Sequence, residues 1–247
     1  MTHKTKGIVL RTVKYGETSL VVTVFTELFG VQTYMANGVR SNKKTGNKSI
    51  MLQAGAILDM EVYHNELKNL QRIKESSWSY IYDHVMSDVV RNSIALFMVE
   101  LLFKSLRQPE SHPDLFYFSE DILKQLDTAS PEVVANLPLY FALQIPYFFG
   151  FKINESFQLS ENENLVLDLA EGKFTHERPT HTYVLEGTNA MVTAELLRTM
   201  HPDELKEIKL NRHTRRELLS KYLEYYALHL PEFGQMKTWN VLQEVIG

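Results

Sequence analysis

The first part of the chain contains three short apolar segments whose residue types are typical of β-strands. Three segments, at residues 9–13, 20–25 and 31–36, are filled with β-branched and aromatic residues, as a pleated and half-buried surface requires. Gly16 and Gly30 separate these segments, and glycine is favoured where a tight turn needs a positive φ. The pattern predicts three consecutive short strands.

Residues 56–63 alternate cleanly between apolar and polar side chains. Three apolar side chains share one face and polar side chains share the other, which predicts a strand with one wet face. Residues 67–75 are predicted to return as a fifth strand. Five short strands with a link at 41–55 fit the closed OB barrel, in which closure removes most exposed strand edges.

From Trp78 onward the pattern changes to that of helices. A long helix is predicted between the capping pair Ser87-Asp88 and Pro109, and its middle is apolar on nearly every side, which is typical of a buried helix. Further helices are predicted to start at Pro113 and Pro131, because proline is favoured in a first helical turn. The helix after Pro131 contains two internal prolines and is expected to kink or break into short pieces.

The predicted fold class is therefore α+β, with an N-terminal OB-fold barrel followed by an all-helical domain. The barrel is assigned to residues 1–77 and the helical domain to residues 78–247. Within the helical domain, residues 152–190 form an irregular insertion rich in Asn and Ser. Residues 165–174 of this insertion are predicted to make a hairpin around Glu171-Gly172.

Composition narrows the class of protein. The chain of 247 residues has no cysteine, which excludes disulfides and thiolate metal sites and favours a cytoplasmic protein. Its first residues lack the apolar core of a signal peptide, and no apolar run is long enough to span a membrane. The net charge is −4, but the first 75 residues hold 11 Lys and Arg against 6 Asp and Glu. This asymmetry is typical of a nucleic-acid face, and chance drift of a few charges explains it equally well.

A polar loop after the third strand carries the densest group of cations. It contains no acidic residue from Arg40 to Lys48. Small strands with a cationic loop are the components of an OB-type nucleic-acid module. The predicted nucleic-acid contacts are six cations, of which the first three are expected to contribute most: Arg40, Lys43, Lys44, Arg11, Lys14 and Lys48.

Exposed aromatic rings on the barrel are candidates for stacking on bases. Each stacked base contributes about 1–3 kcal/mol, so one or two exposed tyrosines would matter. Tyr15, Tyr34 and Tyr63 are the candidates, and for Tyr15 and Tyr34 a core position is an equal alternative. Phe29 is expected to belong to the core.

Several short motifs in this region occur together in one family. They are Gly7-Ile8-Val9-Leu10-Arg11-Thr12, Tyr15-Gly16-Glu17-Thr18-Ser19, Phe25-Thr26 and Gly38-Val39-Arg40, and they resemble the N-terminal domain of the bacterial recombination mediator family RecO. The resemblance implies a protein of the bacterial cytoplasm and nucleoid that binds single- and double-stranded DNA and anneals complementary strands. It further implies that, with RecR, the protein relieves the block imposed by the single-stranded-DNA-binding protein (SSB), so that RecA loads.

Many RecO-like proteins carry a cysteine-ligated zinc knuckle in this second domain. This chain has no cysteine, so it resembles the variant without that knuckle, and no metal or other cofactor is expected. His176 and His181 are one residue too far apart for a zinc-protease helix, and Pro179 would break such a helix. A phosphate-binding glycine loop and a nucleophile paired with a base are also missing from the sequence pattern, so an enzyme is not expected.

The segment at residues 211–230 repeats apolar positions at helical spacing beside a row of cations. RecO proteins grip the acidic C-terminal tail of SSB through their second domain, and the resemblance points to this helix as the place. The predicted tail contacts are Arg212, Arg215, Arg216 and Tyr222. For any single arginine, a solvated position on an amphipathic helix is the alternative.

Two other classes of function stay open. A protein-only adaptor would use the barrel to dock proteins, with its cations merely solvated. An RNA-binding OB-fold protein would prefer RNA to DNA of the same sequence.

Overall fold

A computed structural model describes residues 2–39, 48–106, 108–154 and 165–246. The chain contains eight strands, seven α-helices and one 3₁₀ turn within these residues. In chain order the elements are β1 Thr2–Tyr15, β2 Ser19–Thr26, β3 Gly30–Ala36, α1 Lys48–Met51, β4 Ile57–Tyr63, β5 Gln71–Tyr80, α2 Val89–Ser105, α3 Pro113–Thr128, α4 Pro131–Phe148, β6 Val166–Asp168, β7 Lys173–Thr175, β8 Val184–Glu186, α5 Gly187–Arg198, the 3₁₀ turn Pro202–Lys206, α6 Arg212–His229 and α7 Trp239–Val245.

The first five strands form a closed barrel in the order β1-β2-β3-β5-β4. All neighbours are antiparallel except β3 and β5, which pair in parallel and close the barrel. The predicted OB barrel is confirmed, and so are its first four strands. The predicted range of the fifth strand is wrong, because residues 65–70 make a turn and the strand runs from Gln71 to Tyr80.

The interior of the barrel is filled from every strand. Its buried side chains include Val9, Leu20, Val22, Tyr34 and Leu58. Tyr34 is completely buried, so it packs the core and does not offer a stacking face. Burial also raises the pKa of its phenol.

Gly30 begins β3 in a conformation that only glycine adopts readily. Its φ is +61°, and a Cβ added there would lie 2.0 Å from the carbonyl oxygen of Glu110. A side chain would therefore meet backbone, which cannot give way cheaply.

The chain forms two compact units. The first contains Met1–Ser87 and Leu102–Asp127, and the second contains Asp88–Leu101 and Thr128–Gly247. The domain limits 1–77 and 78–247 stay a prediction, and β5 continues past residue 77.

In the second unit, α4 is buried along most of its length. It continues as one helix through Pro138 and Pro146, so of the two predicted outcomes, a kink or a break into short pieces, the break is wrong. A proline removes only one hydrogen bond of the helix, and packing on most sides holds this helix together. Tyr226 of α6 adds a hydrogen bond from its hydroxyl to the carbonyl of Ala142, at 2.8 Å.

The predicted hairpin in the irregular insertion is confirmed. Strands β6 and β7 pair antiparallel, and Gly172 adopts the positive φ that the turn between them needs. Strand β8 pairs on the other side of β6, so the sheet order is β7-β6-β8.

One buried carboxylate fixes the segment that follows the barrel in the first unit. Asp127 of α3 is fully buried and accepts hydrogen bonds from the backbone N–H groups of Asp83, His84 and Val85 at 2.8–2.9 Å. The hydroxyl of Tyr80 donates a fourth bond at 3.1 Å. Burial raises the pKa of Asp127, but the hydrogen bonds from these amides outweigh it and hold the pKa below its ordinary value.

We predict that Asp127→Asn lowers the free energy of unfolding by about 3 kcal/mol, because an amide nitrogen would face N–H donors. Urea denaturation at pH 7 measures the change. Asp121→Asn on the exposed side of the same helix is the control and should change stability by less than about 0.5 kcal/mol.

The same carboxylate predicts a pH dependence. Because the folded-state pKa of Asp127 is depressed, its contribution is complete above the unfolded pKa of about 4 and is lost as the pH falls through the folded value. The stability gap between wild type and Asp127→Asn should therefore narrow below about pH 4. A constant gap from pH 7 to pH 3 would contradict this assignment.

Candidate nucleic-acid interface

One row of side chains crosses the outer surface of all five barrel strands. The registers pair Val13 with Val21, Val21 with Met35, Met35 with Arg72, and Arg72 with Tyr63. Paired residues point to the same side of a sheet, so these five side chains share one face. The face is accessible, since Val13 is 45% and Tyr63 48% exposed and Arg72 is exposed as well.

Exposed cations border this row. Arg11 lies beside it, paired in register with Thr23, and Lys14 lies near the end of β1. Lys68 is exposed in the turn before β5. In the described parts of the chain, none of Arg11, Lys14, Lys68 and Arg72 is held in an ion pair, so their charges are available to an anionic ligand.

Most of the predicted cationic loop lies outside the residues that the structure describes. Arg40, Lys43 and Lys44 lie outside the described residues. Lys48 begins α1, but its side chain lies outside the described part as well. Their role in binding stays a prediction.

Sequence reasoning missed Arg72 and Lys68. Both were placed in a predicted strand at 67–75, whose poor alternation gave no reliable inside and outside. Once the strand begins at Gln71, which is buried, Arg72 takes the adjacent outward position. Recognition of Gln71 as a buried polar residue would have placed Arg72 on the outer face of the strand.

The outer surface of the barrel becomes acidic farther along β4 and β5. Glu61 lies two residues before Tyr63, and its carboxylate pairs with Lys74 at 2.8 Å. Asp59 and Glu75 are exposed nearby, next to a cavity of about 520 Å³. The acidic side chains mark one limit of the cationic face.

The aromatic candidates divide into exposed and buried rings. Tyr15 is 59% exposed and Tyr63 is 48% exposed, so both rings are accessible to a base. Phe29 is partly buried and stacks on His64, with ring centroids 3.9 Å apart. Phe29 packs against the barrel core, so the expectation that it belongs to the core is met only in part.

The second candidate surface is helix α6, and only part of it faces solvent. Arg212 is exposed and donates to the carbonyl of Glu244. Arg216 is half-buried, and its Nε has no hydrogen-bond partner in the described chain. Tyr222 is 1% exposed, and its hydroxyl lies 2.8 Å from that of Thr193. Tyr222 therefore supports the helix from inside and cannot contact a peptide on the surface.

Arg215 is committed to the structure. Its Nε donates to Oδ1 of buried Asn136 at 2.9 Å, and Asn136 donates to the carbonyls of Leu205 and Ile208 at 3.0 and 2.8 Å. Burial lowers the pKa of Arg215. This network joins α4, α6 and the 3₁₀ turn.

In the described part of the chain, His, Asp and Glu side chains do not gather in groups of three or more that a metal ion would need. His181 lies 3.3 Å from Asp168, which is also occupied by the amides of Ala170 and Glu171. Across residues 2–39, 48–106, 108–154 and 165–246, every helix is too short or too polar to cross a bilayer.

A closed barrel in OB order, followed by a mainly helical second half, defines a two-part OB-fold protein. The family model "Recombination protein O N terminal" matches residues 1–82, and the model "Recombination protein O C terminal" matches residues 86–238. The chain belongs to the RecO family, and it contains no cysteine.

Curated relatives named DNA repair protein RecO match this chain along nearly its full length. A protein named DNA repair protein RecO from Bacteroides fragilis (strain YCH46) is 31% identical over 247 residues, which cover 99% of each chain. The DNA repair protein RecO of Christiangramia forsetii is 30% identical over 243 residues, or 98% of each chain.

We predict that Asn136→Ala destabilises the protein by about 2–4 kcal/mol, because two buried carbonyls and the guanidinium of Arg215 lose their partner. Urea denaturation measures the change, and Asn240→Ala on the exposed side of α7 is the control. Equal stability of the two variants would show that the network contributes nothing.

Proposed function

We propose that this protein is a recombination mediator. It binds single- and double-stranded DNA, anneals complementary strands and, with RecR, relieves the block imposed by SSB so that RecA loads on single-stranded gaps. The observation that carries the proposal is the group of exposed cations beside the outer row of the barrel, Arg11, Lys14, Lys68 and Arg72, in a chain of the RecO family. None of these four forms an ion pair within the described residues. The site of action is the bacterial nucleoid.

Binding rests on phosphate neutralisation. Each cation that contacts a phosphate releases condensed counterions, so affinity for a single strand falls with salt at a slope of about −0.7 per phosphate. Arg11, Lys14, Lys68 and Arg72 border a surface that includes the apolar side chains of Val13 and Met35. Such a surface binds the backbone and leaves the edges of most bases free.

Free base edges are what annealing requires. Two complementary strands pair only if each is held loosely by its phosphates and by stacking, because tight recognition of base edges would compete with pairing. The proposed activity therefore consists of binding alone, and we propose no covalent or nucleotide-driven step.

The helical unit brings the protein to coated DNA in this proposal. Arg212 and Arg216 of α6 receive the acidic tail of SSB, whereas Arg215 holds Asn136. Retaining SSB by its tail raises the local concentration of the barrel at the DNA without displacing SSB at the outset.

We predict that replacing Arg11, Lys14 and Arg72 together by alanine weakens binding to labelled single strands and makes the salt slope shallower by about 2, because three phosphate contacts are lost. Fluorescence anisotropy at several salt concentrations measures both quantities. Replacement of Arg40, Lys43 and Lys44 by alanine should have at least as large an effect.

Lys74→Ala is the matched control for this experiment, because Lys74 lies on the same strand as Arg72 but pairs with Glu61. It should leave the salt slope unchanged. A wild-type protein that ignores DNA at low salt would support the protein-only adaptor, and preferential binding to RNA of the same sequence would support the RNA-binding class.

We predict that Arg216→Glu weakens binding of a fluorescent SSB tail peptide at least tenfold, because it places a carboxylate against an acidic ligand. Lys221→Glu is the control, since Lys221 pairs with Glu224 at 2.7 Å. Arg215→Glu is unsuitable, because it also breaks the bond to Asn136. Equal peptide binding by wild type and Arg216→Glu would exclude this residue.

A further inference from the structure

The turn between β4 and β5 is braced from inside. Gln71 is 3% exposed, and its amide nitrogen donates to the carbonyls of Asn65 and Lys68 at 2.8 and 2.6 Å. Its amide oxygen accepts from the backbone N–H of Asn65 at 3.0 Å. Asn65 in turn accepts from the N–H of Leu67 at 2.9 Å. With its backbone groups satisfied, the turn has a defined shape before any ligand arrives.

This turn and the adjoining strands enclose a cavity of about 440 Å³. The volume lies within the range of about 300–1,000 Å³ that small-molecule sites occupy. Its lining mixes apolar, aromatic and cationic side chains, principally Met35, Tyr63, His64, Lys68, Leu70 and Arg72.

The lining matches the parts of one nucleotide. Tyr63 presents a ring that is 48% exposed, and Leu70 adds apolar surface that is 44% exposed. Arg72 is the register partner of Tyr63 on the same face, and Lys68 lies on the turn above. A flat aromatic ligand with an anionic group on either side satisfies this arrangement.

The neighbouring ring of His64 is held in place. It stacks on Phe29 with the ring planes 12° apart. Burial lowers the pKa of His64, and the nearby charge of His3 lowers it further, while Glu66 opposes both. The lowered pKa disfavours the charged form of this ring, so this wall of the cavity suits a base better than a phosphate.

We propose that this cavity takes one unpaired base of a bound single strand, which stacks on Tyr63 while the phosphates on either side contact Lys68 and Arg72. The inference rests on the proposed DNA-binding function and adds a strand preference to it. A base inside a duplex is stacked and paired, so it enters the cavity only after unpairing. The cavity thus favours single strands, whereas the remaining cations bind both forms.

The test compares a thymidine strand with a strand of equal length that has the same phosphates but no bases. Anisotropy titration with the full-length protein should show that wild type prefers the strand with bases. Tyr63→Leu should reduce this preference at least fivefold, the lower end of what stacking of one base contributes.

Two variants control for side-chain loss. Tyr63→Phe keeps a ring and should retain the preference. Tyr147→Leu removes a ring that is 61% exposed on α4 in the second unit, and it should have no effect. A 4-thiothymidine strand crosslinked by light and mapped by mass spectrometry should label the segment around Tyr63 in wild type.

The outcomes separate the cavity from the wider proposal. If wild type binds both strands but Tyr63→Leu keeps the full preference for bases, the cavity is not a base site, although DNA binding stands. If wild type binds neither strand at low salt, DNA binding itself is wrong. Loss of affinity for both strands in Tyr63→Leu, with Tyr63→Phe equally affected, would also overturn the assignment.

Discussion

The barrel depends on a very short parallel pairing between its third and fifth strands. Only Tyr34 with Gln71 and Met35 with Arg72 form the ladder that closes it. Parallel pairs are somewhat weaker than antiparallel ones, so two pairs alone would hold poorly. The buried partners of this ladder, the ring of Tyr34 and the amide of Gln71, supply the packing and hydrogen bonds that fix it. The outward partners, Met35 and Arg72, then become neighbours on the candidate binding face.

Both units use buried polar side chains to hold irregular backbone. Asp127 satisfies three consecutive amides in the first unit, and Asn136 satisfies two carbonyls in the second. Half-buried Glu100 acts similarly and accepts from the amides of Lys237 and Thr238 at 2.8 and 2.7 Å, just before α7. Buried polar groups with all their partners are expected in stable interiors. These residues therefore serve the fold.

The spacing of apolar residues and the positions of turn-forming residues predicted most of the fold. The Glu171-Gly172 turn located the hairpin in the insertion, although its strand β6 is buried throughout. Alternation, together with strand-favouring residue types, located four barrel strands. It failed for β5, since Gln71 is a polar residue in a core position. Alternation also left Tyr34 undecided, because an aromatic ring is equally at home on either side. Helical spacing predicted that Tyr222 lies beside a row of cations on α6. Tyr222 is instead buried and hydrogen-bonded to Thr193, so spacing alone does not show which face of a helix is covered.

The net charge of −4 conceals a surface whose sign changes over a short distance. Arg72 and Glu75 are three residues apart on β5, which corresponds to about 10 Å along a strand. This is close to the screening length of about 8 Å at physiological salt, so the two charges act nearly independently. A polyanion that contacts Arg72 is repelled if it continues along β5 toward Glu75. The favourable direction runs across the strands, from β5 over β3 and β2 toward Arg11 and Lys14. The charge pattern thus favours one path for a polyanion, across the strands.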